Sequence, residues 1–362
     1  MSNRINVKVA ELHEFSQTVL QKKGLSKQDA EITSDVLITA DQRGIESHGV
    51  ARLQRYVNGI DDGLILPDPD VETITETPVS LVIDGGGGMG QPITYKTMQK
   101  CLQKAQDNYM CFASIRNSNH YGIAGYYTLM ALEQDLIGFS STNSAPLVVP
   151  TFAKKAVIGT NPISIGVPAK DHYPFLLDMA TATVPRGKLE VYARAEKSMP
   201  DVWATDPEGN PATNPVEVLK NLAERKGGGL SPLGGSQELT GGHKGYGLSA
   251  MVDILSGILS SGTVGRDIYG REGKPAQVCH FIGAINPEAF SSLQEIQENM
   301  DYYIDMLKDN QKVEGQDRIY VAGEKEYEAY QENREIVSLQ DKVFQNLNEI
   351  GDKFSLSLSE HK

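Results

Sequence analysis

Within the run Ser47-His48-Gly49-Val50-Ala51-Arg52-Leu53-Gln54-Arg55-Tyr56, the chain places an imidazole, a guanidinium and a phenol at successive intervals of four. On an α-helix that spacing sets His48, Arg52 and Tyr56 along one side. The three offer a proton carrier, a planar fork that grips a carboxylate through two hydrogen bonds, and a hydroxyl. Val50, Leu53, Val57 and Ile60 recur at helical period beside them and predict the stripe that buries the helix. Gly44 closes the preceding helix and Ser47 caps the new one. His48 then stands in the first turn, where the positive end of the helix dipole favours the neutral base. The competing reading is a surface helix whose polar side happens to carry these residues.

A second reactive group lies at Asn117-Ser118-Asn119-His120-Tyr121-Gly122, between the strand Cys111 to Ile115 and the helix Ala124 to Glu133. Polar side chains at such a junction are commonly presented to a cleft, although a lone loop histidine is more often only hydrogen-bonded. Leu81-Val82-Ile83-Asp84, then Gly85 to Gly90, then an amphipathic run through Met98 and Leu102 satisfies GxGxxG formally. A dinucleotide cradle also needs a following strand that ends in a ribose-reading acid, and the next strand ends instead in Arg116-Asn117. The loop is therefore read as a structural turn. Asp178, closing the apolar run Phe175 to Met179, is either a satisfied turn carboxylate or an acceptor for ribose hydroxyls. Gly241-Gly242-His243-Lys244-Gly245, ahead of the apolar helix Leu248 to Leu259, is either a pyrophosphate pocket or a flexible entry loop with a solvated lysine.

These residues need positioning elements. At 362 residues the chain is long enough for two or three lobes, and 40% apolar with 22% charged residues is ordinary globular composition. Residues 8 to 62 read as all-helical, with stripes Leu12, Phe15, Val19 and Ile32, Val36, Leu37, Ala40, and with Ser26 and Asp29 as a capping box. Short apolar runs from Ile137 to Ala180 without intervening helices predict a largely antiparallel sheet. Residues 184 to 240 read as loop-rich, with a mobile glycine connection at 227–235. Gln277 to Ile285 reads as the last strand, and 295–362 as a charged helical layer wrapping the rest. The expected organisation is a helical N-terminal lobe (1–75), a central sheet domain with the site (76–290) and a helical C-terminal segment packing back (291–362).

A net charge of -13 argues against nucleic acid or an anionic membrane as partner, while leaving room for a small anionic substrate held by a local arginine. Cys101, Cys111 and Cys279 show no CxxC spacing, which fits a reducing compartment and no structural zinc. The first residues lack an apolar leader-like run, and nothing approaches the roughly 18 apolar residues of a membrane span. A cytoplasmic protein is expected.

The runs SHGVARLQRY, NSNHYGIAGYY, GTNPISIGVP, LDMATATVPRGK, GGHKGYGLSAMVDILSG and AINPEAF occur in this order. Together they resemble the malate/L-lactate dehydrogenase family, which also holds sulfolactate, ureidoglycolate and diketogulonate oxidoreductases and a cyclic-imine reductase. The resemblance spans roughly residues 8 to 325. It implies an α/β fold of α+β type with a mixed, mostly antiparallel central sheet, not a Rossmann fold. It also implies a homodimer with NAD or NADP bound near the subunit interface. It makes His120 and His48 the acid/base candidates, with His120 ranked ahead, and Arg52, Tyr56 and Asn119 the substrate ligands. Ser144, Asp178, Met179, Ala180, Lys244, Gly245, Asn286, Pro287 and Glu288 fall to the cofactor, and no metal is implied. Two places bear on detail. Glu335-Ile336-Val337-Ser338-Leu339 stands where relatives often carry Gly-Ile-Pro-Leu, and His120-Tyr121-Gly122 matches the malate and lactate members rather than the His-Ser-Gly of ureidoglycolate enzymes. The implied reaction is hydride transfer between a nicotinamide and an L-2-hydroxy acid such as malate, lactate or sulfolactate. The alternatives are reduction of a cyclic imine or diketo sugar acid, and a nucleotide-binding regulatory protein without turnover.

Overall fold

A computed structural model describes residues 4–269 and 275–361. Residues 1–3, the head of the segment read as lacking an apolar leader, lie outside the described residues. The chain starts with a strand the sequence reading did not foresee, β1 (Arg4–Lys8). Helices α1 (Val9–Lys22) and α2 (Lys27–Gln42) follow, and the Ser26 hydroxyl accepts the Asp29 N–H at 3.1 Å as the N-cap of α2. Both foreseen stripes are buried. The expected helix over 48–60 is instead two 3₁₀ turns, Glu46–His48 and Val50–Arg52, leading into a shorter α3 (Leu53–Asp61). Gly49 breaks it: its backbone is extended, with ψ −157°, between the two turns.

The central sheet has seven strands in the order β2-β3-β4-β10-β5-β6-β7. These are β2 (Glu72–Glu76), β3 (Ser80–Asp84), β4 (Met110–Ser118), β5 (Ile137–Thr142), β6 (Ile163–Val167), β7 (Phe175–Met179) and β10 (Val278–Ile285). Every neighbouring pair is antiparallel except β3 and β4, which are parallel and joined by α4 (Gly90–Asn108). Helices α4 and α5 (Ala124–Leu132) bury their apolar residues with those of β3, β4 and β10. Leu147–Pro150 forms single bridges rather than a strand.

Residues 184–240 are more ordered than their polarity implies. They hold α6 (Arg186–Arg194), α7 (Pro215–Glu224) and the pair β8 (Ala204–Thr205) and β9 (Gly229–Leu230) around a separate core that includes Val148, Leu189 and Leu230. The glycines at 227–235 serve close approach rather than mobility, since a Cβ on Gly228 would stand 2.4 Å from the Thr205 carbonyl oxygen. Helix α8 (Gly242–Asp253) begins six residues before the expected Leu248 and runs into a π turn at Ile254–Ile258.

Strand β10 is central and is not the last. After α9 (Leu293–Lys308) and α10 (Glu324–Glu332), the divergent stretch near residue 335 becomes β11 (Ile336–Gln340), which pairs antiparallel with β1. Helix α11 (Asp341–Asp352) follows. Val337, Leu339, Leu347, Ile350 and Leu358 share one core with Leu12, Leu37, Leu53 and Val57, so the two ends of the chain build a single lobe. The expectation of a purely charged, helical wrapping layer fails there because alternate residues of β11 and one face of α11 are apolar and buried.

Candidate active site

His48 and Arg52 flank the break at Gly49, and neither sits where the continuous helix would have put it. His48 ends the first 3₁₀ turn, and its Nδ1 is 2.9 Å from the Ser47 hydroxyl, which therefore does not cap a helix. Arg52 ends the second turn and donates from Nε to the Ser47 carbonyl at 2.6 Å. That bond anchors the guanidinium while its terminal nitrogens take no protein acceptor among the described residues, the state required of a carboxylate clamp. His48 is neutral, as expected, but for a different reason. Burial, then the charges of Arg52 and Arg55, lower it to about 4.

His120 comes from the loop after β4 and stacks on His48, with ring centroids 5.4 Å apart. Its Nδ1 lies 2.7 Å from the Tyr56 hydroxyl and 3.4 Å from the Gly122 backbone N–H. A backbone N–H can only donate, so Nδ1 is the bare nitrogen and the neutral ring carries its proton on Nε2. Burial, reinforced by His48, Arg55 and Arg52, holds the imidazole well below the usual histidine value. Tyr56 is 1% exposed, and burial pushes its hydroxyl up to about 12. It remains protonated, and its nearest side-chain partner is the His120 imidazole. The Asn119 side-chain nitrogen donates to the carbonyls of Gly87 and Gly88 at 3.0 Å each.

The glycine loop is tied inward. Gly85 and Gly87 donate to the Arg116 and Asn117 carbonyls, and Gly88 to that of Gly85. Gly86 donates to the Asp84 carboxylate at 3.1 Å. Burial opposes ionisation of Asp84, but hydrogen bonds from Asn117, Gly86 and Arg116 outweigh it and hold the carboxyl below its ordinary value. Amides spent in this way do not remain for a pyrophosphate.

Most of the cofactor candidates share a neighbourhood with His120. His280, fully buried on β10, is the bridge: Nδ1 meets the Thr142 hydroxyl at 2.7 Å, Nε2 meets that of Ser118 at 3.0 Å, and the ring stacks on Tyr121 at 4.4 Å. It thus joins the His120 loop to the end of β5, just before Ser144. The Ser144 hydroxyl accepts the Thr160 N–H at 3.0 Å, and its own N–H donates to Asn161. Asn161 donates to the Ser249 carbonyl of α8, and Thr181, after Ala180, donates to that of Thr160. Lys244 stands exposed in the first turn of α8 without an ion pair among the described residues. Gly245 must be glycine, because a Cβ would lie 2.2 Å from the Leu233 carbonyl oxygen.

Asp178 accepts the Gly125 N–H at 2.7 Å with one oxygen. Its other oxygen has no protein donor among the described residues, and the side chain opens on a cavity also lined by Arg43, Tyr320 and Lys325. Although the group meets solvent, the crowded wall raises its carboxyl to about 6. A hydroxyl acceptor beside a cavity and an unpaired lysine at a helix start fit a nicotinamide dinucleotide. Asn286, Pro287 and Glu288 are not brought to this end. They follow Ile285, which pairs with Met110 and Ile137, about 17 Å along β10 from His280.

Sequence reasoning missed Arg55, His280 and Asp41. Arg55 lay inside the quoted run and only its charge signalled it. A histidine in an apolar strand and an aspartate late in a helix become informative only through their tertiary partners.

The malate/L-lactate dehydrogenase family model matches residues 7–348. The chain is 46% identical over 352 residues to malate dehydrogenase of Pyrococcus horikoshii, covering 97% of this chain and 96% of that protein. It is 35% identical over 344 residues to malate/(S)-sulfolactate dehydrogenase of Methanothermus fervidus, covering 94% and 96%. The crystal structure of malate dehydrogenase from Entamoeba histolytica superposes with a TM-score of 0.94 at 36% identity, covering 98% of this chain and 99% of that one. The chain therefore belongs to the malate/L-lactate dehydrogenase family, and its activity is that of a nicotinamide-dependent oxidoreductase acting on 2-hydroxy acids.

Proposed function

We propose that the substrate is a doubly charged L-2-hydroxy acid of the malate or sulfolactate type and that His120 is its acid/base group. The supporting observation is the stacked His48 and His120 pair beside Arg52, with the charge of Arg55, whose Nη2 donates to the Tyr269 hydroxyl at 3.2 Å, also lowering both histidines. Two cations match a substrate with two negative groups better than lactate, which has one. Malate and sulfolactate are also the acids named for the relatives above.

Arg52 holds the C1 carboxylate with its terminal nitrogens. When bound, NAD or NADP would supply the hydride chemistry at C2. In the reductive direction His120 first takes up a proton, and the Nε2–H of that imidazolium gives it to the keto oxygen as negative charge develops there, leaving the neutral ring with its remaining proton on Nδ1. For oxidation Nε2 must be bare. The ring reaches that tautomer when Nδ1 carries the proton toward the Tyr56 oxygen and the Tyr56 hydroxyl turns to Gln91, whose buried amide oxygen and nitrogen have no hydrogen-bond partner among the described residues. Ser144, the Asp178–Ala180 segment and the Lys244–Gly245 segment serve the cofactor, with Asp178 on ribose hydroxyls and Lys244 on the pyrophosphate. Asn286–Glu288 is kept only for the end of the cofactor remote from the reacting carbon. The functional unit is a homodimer, and light scattering showing an active monomer would remove that part of the reading.

Incubating the purified protein with L-malate and either NAD or NADP tests the assignment through the growth of reduced-nicotinamide absorbance. His120→Asn should lose roughly two to four powers of ten in kcat while cofactor affinity in direct titration stays unchanged. Asp178→Ala and Lys244→Ala should weaken that affinity instead. Full turnover by His120→Asn would move the acid/base role to His48 or another group.

A further inference from the structure

The end of α2 and its C-cap carry three consecutive buried polar residues, Asp41, Gln42 and Arg43, and each reaches a different part of the molecule. Gln42 donates to the carbonyls of Asn333 and Arg334, and Arg43 to the Tyr173 hydroxyl at 3.1 Å. Asp41 turns toward the active site. Its Oδ2 accepts the Val50 N–H at 2.8 Å. That N–H opens the second 3₁₀ turn and, because Gly49 before it is extended, has no carbonyl of its own turn to reach. The carboxylate also lies against Gly49, where a Cβ would stand 1.9 Å from Oδ1. Asp41 is 6% exposed, and burial raises its carboxyl to about 7 against the lowering effect of the Val50 N–H. An acid kept in so unfavourable a place calls for a specific contact.

We infer that Asp41 is a positioning residue for the substrate site: its carboxyl clamps the Gly49–Val50 junction and so fixes His48 on one side of it relative to Arg52 on the other. The inference rests on reading His48 and Arg52 as substrate-facing, and it gives a reason for the helix break that sequence periodicity does not contain.

Two variants test it. Asp41→Ser is too short to reach Val50, and Asp41→Asn keeps an oxygen acceptor at the same length. Losing this buried hydrogen bond should raise KM for malate about tenfold or more in Asp41→Ser. The dissociation constant of the cofactor should not change, and the His48 imidazole resonances should shift. Asp41→Asn should restore KM to within about threefold of the wild type. A solely structural role would lower the Tm of Asp41→Ser while leaving KM and the His48 resonances as they were, and that result overturns the inference. So does an Asp41→Asn as impaired as Asp41→Ser. Hydrogen exchange on the wild-type protein decides the matter even where a variant does not fold: the Val50 amide must be protected, and exchange at the rate of an open loop removes the clamp. Absence of 2-hydroxy-acid turnover by the wild type would remove the functional reading, whereas Val50 protection and the His48 resonances would still decide the role of Asp41.

Discussion

His120 owes its protonation state to its neighbours, and that gives the site a testable pH behaviour. A base that works only when deprotonated keeps its activity above its folded-state pKa and loses it as pH falls through that value. Both histidines lie below the ordinary value of 6.5, His48 at about 4. In the oxidative direction kcat/KM, which reports the free enzyme, should therefore stay level as pH falls through 6.5 and bend only at more acid pH. A bend centred on the ordinary histidine value would show that the free site is not desolvated as the structure has it. Tyr56→Phe preserves the packing of a buried ring but removes the hydroxyl that meets Nδ1. It should lower kcat by roughly ten- to a hundredfold with little change in KM, and an unchanged kcat would take Tyr56 out of the mechanism. At this scale the sequence was informative wherever a residue type carries chemistry by itself, as with His48, Arg52 and His120. It does not show that the Tyr56 hydroxyl meets His120 or that the Asn119 amide nitrogen meets Gly87 and Gly88, because those partners come from chain segments far away.

The elements show where periodicity stops being a guide. Val50, Leu53 and Val57 are buried as their spacing requires, yet the helix they predict is interrupted, because a side chain from α2 captures a backbone N–H that a helix would have used. The glycine loop followed by α4 gives the parallel pair β3 and β4, so its local pattern is truly strand, loop and helix. What separates it from a dinucleotide cradle is the inward use of its amides. Gly90, at the start of α4, shows what the loop does instead. A Cβ there would lie 2.2 Å from the Asn119 carbonyl oxygen and 2.6 Å from that of His120. Gly90→Ala should therefore displace the His120 backbone and lower kcat for malate by at least about tenfold, on the scale by which misplaced catalytic groups lose rate, with cofactor affinity preserved. Wild-type turnover in this variant, or a lost affinity for the cofactor, would show that the loop does not serve to hold His120.

Across the whole molecule, the lobe that presents Arg52 and Tyr56 is closed by the other end of the chain. Helix α11 packs against α3 and against the 3₁₀ turn that ends in Arg52, while β11 is held by β1. This closure was not legible beforehand, since pairing between residues 4–8 and 336–340 leaves no trace in either segment read alone. The charged composition after residue 295 also drew attention away from the apolar face of α11. Leu347, 2% exposed in the shared core, is the place to test it. Truncation to alanine should cost about 2–5 kcal/mol, as for other buried leucines that leave a cavity, and should lower the midpoint of urea unfolding accordingly. Because the cavity opens behind α3 rather than behind the sheet, the folded variant should also bind malate more weakly while holding the cofactor as before. A Leu347→Ala protein with an unaltered midpoint and unaltered KM would show that the C-terminal helix merely covers the lobe and does not brace the site.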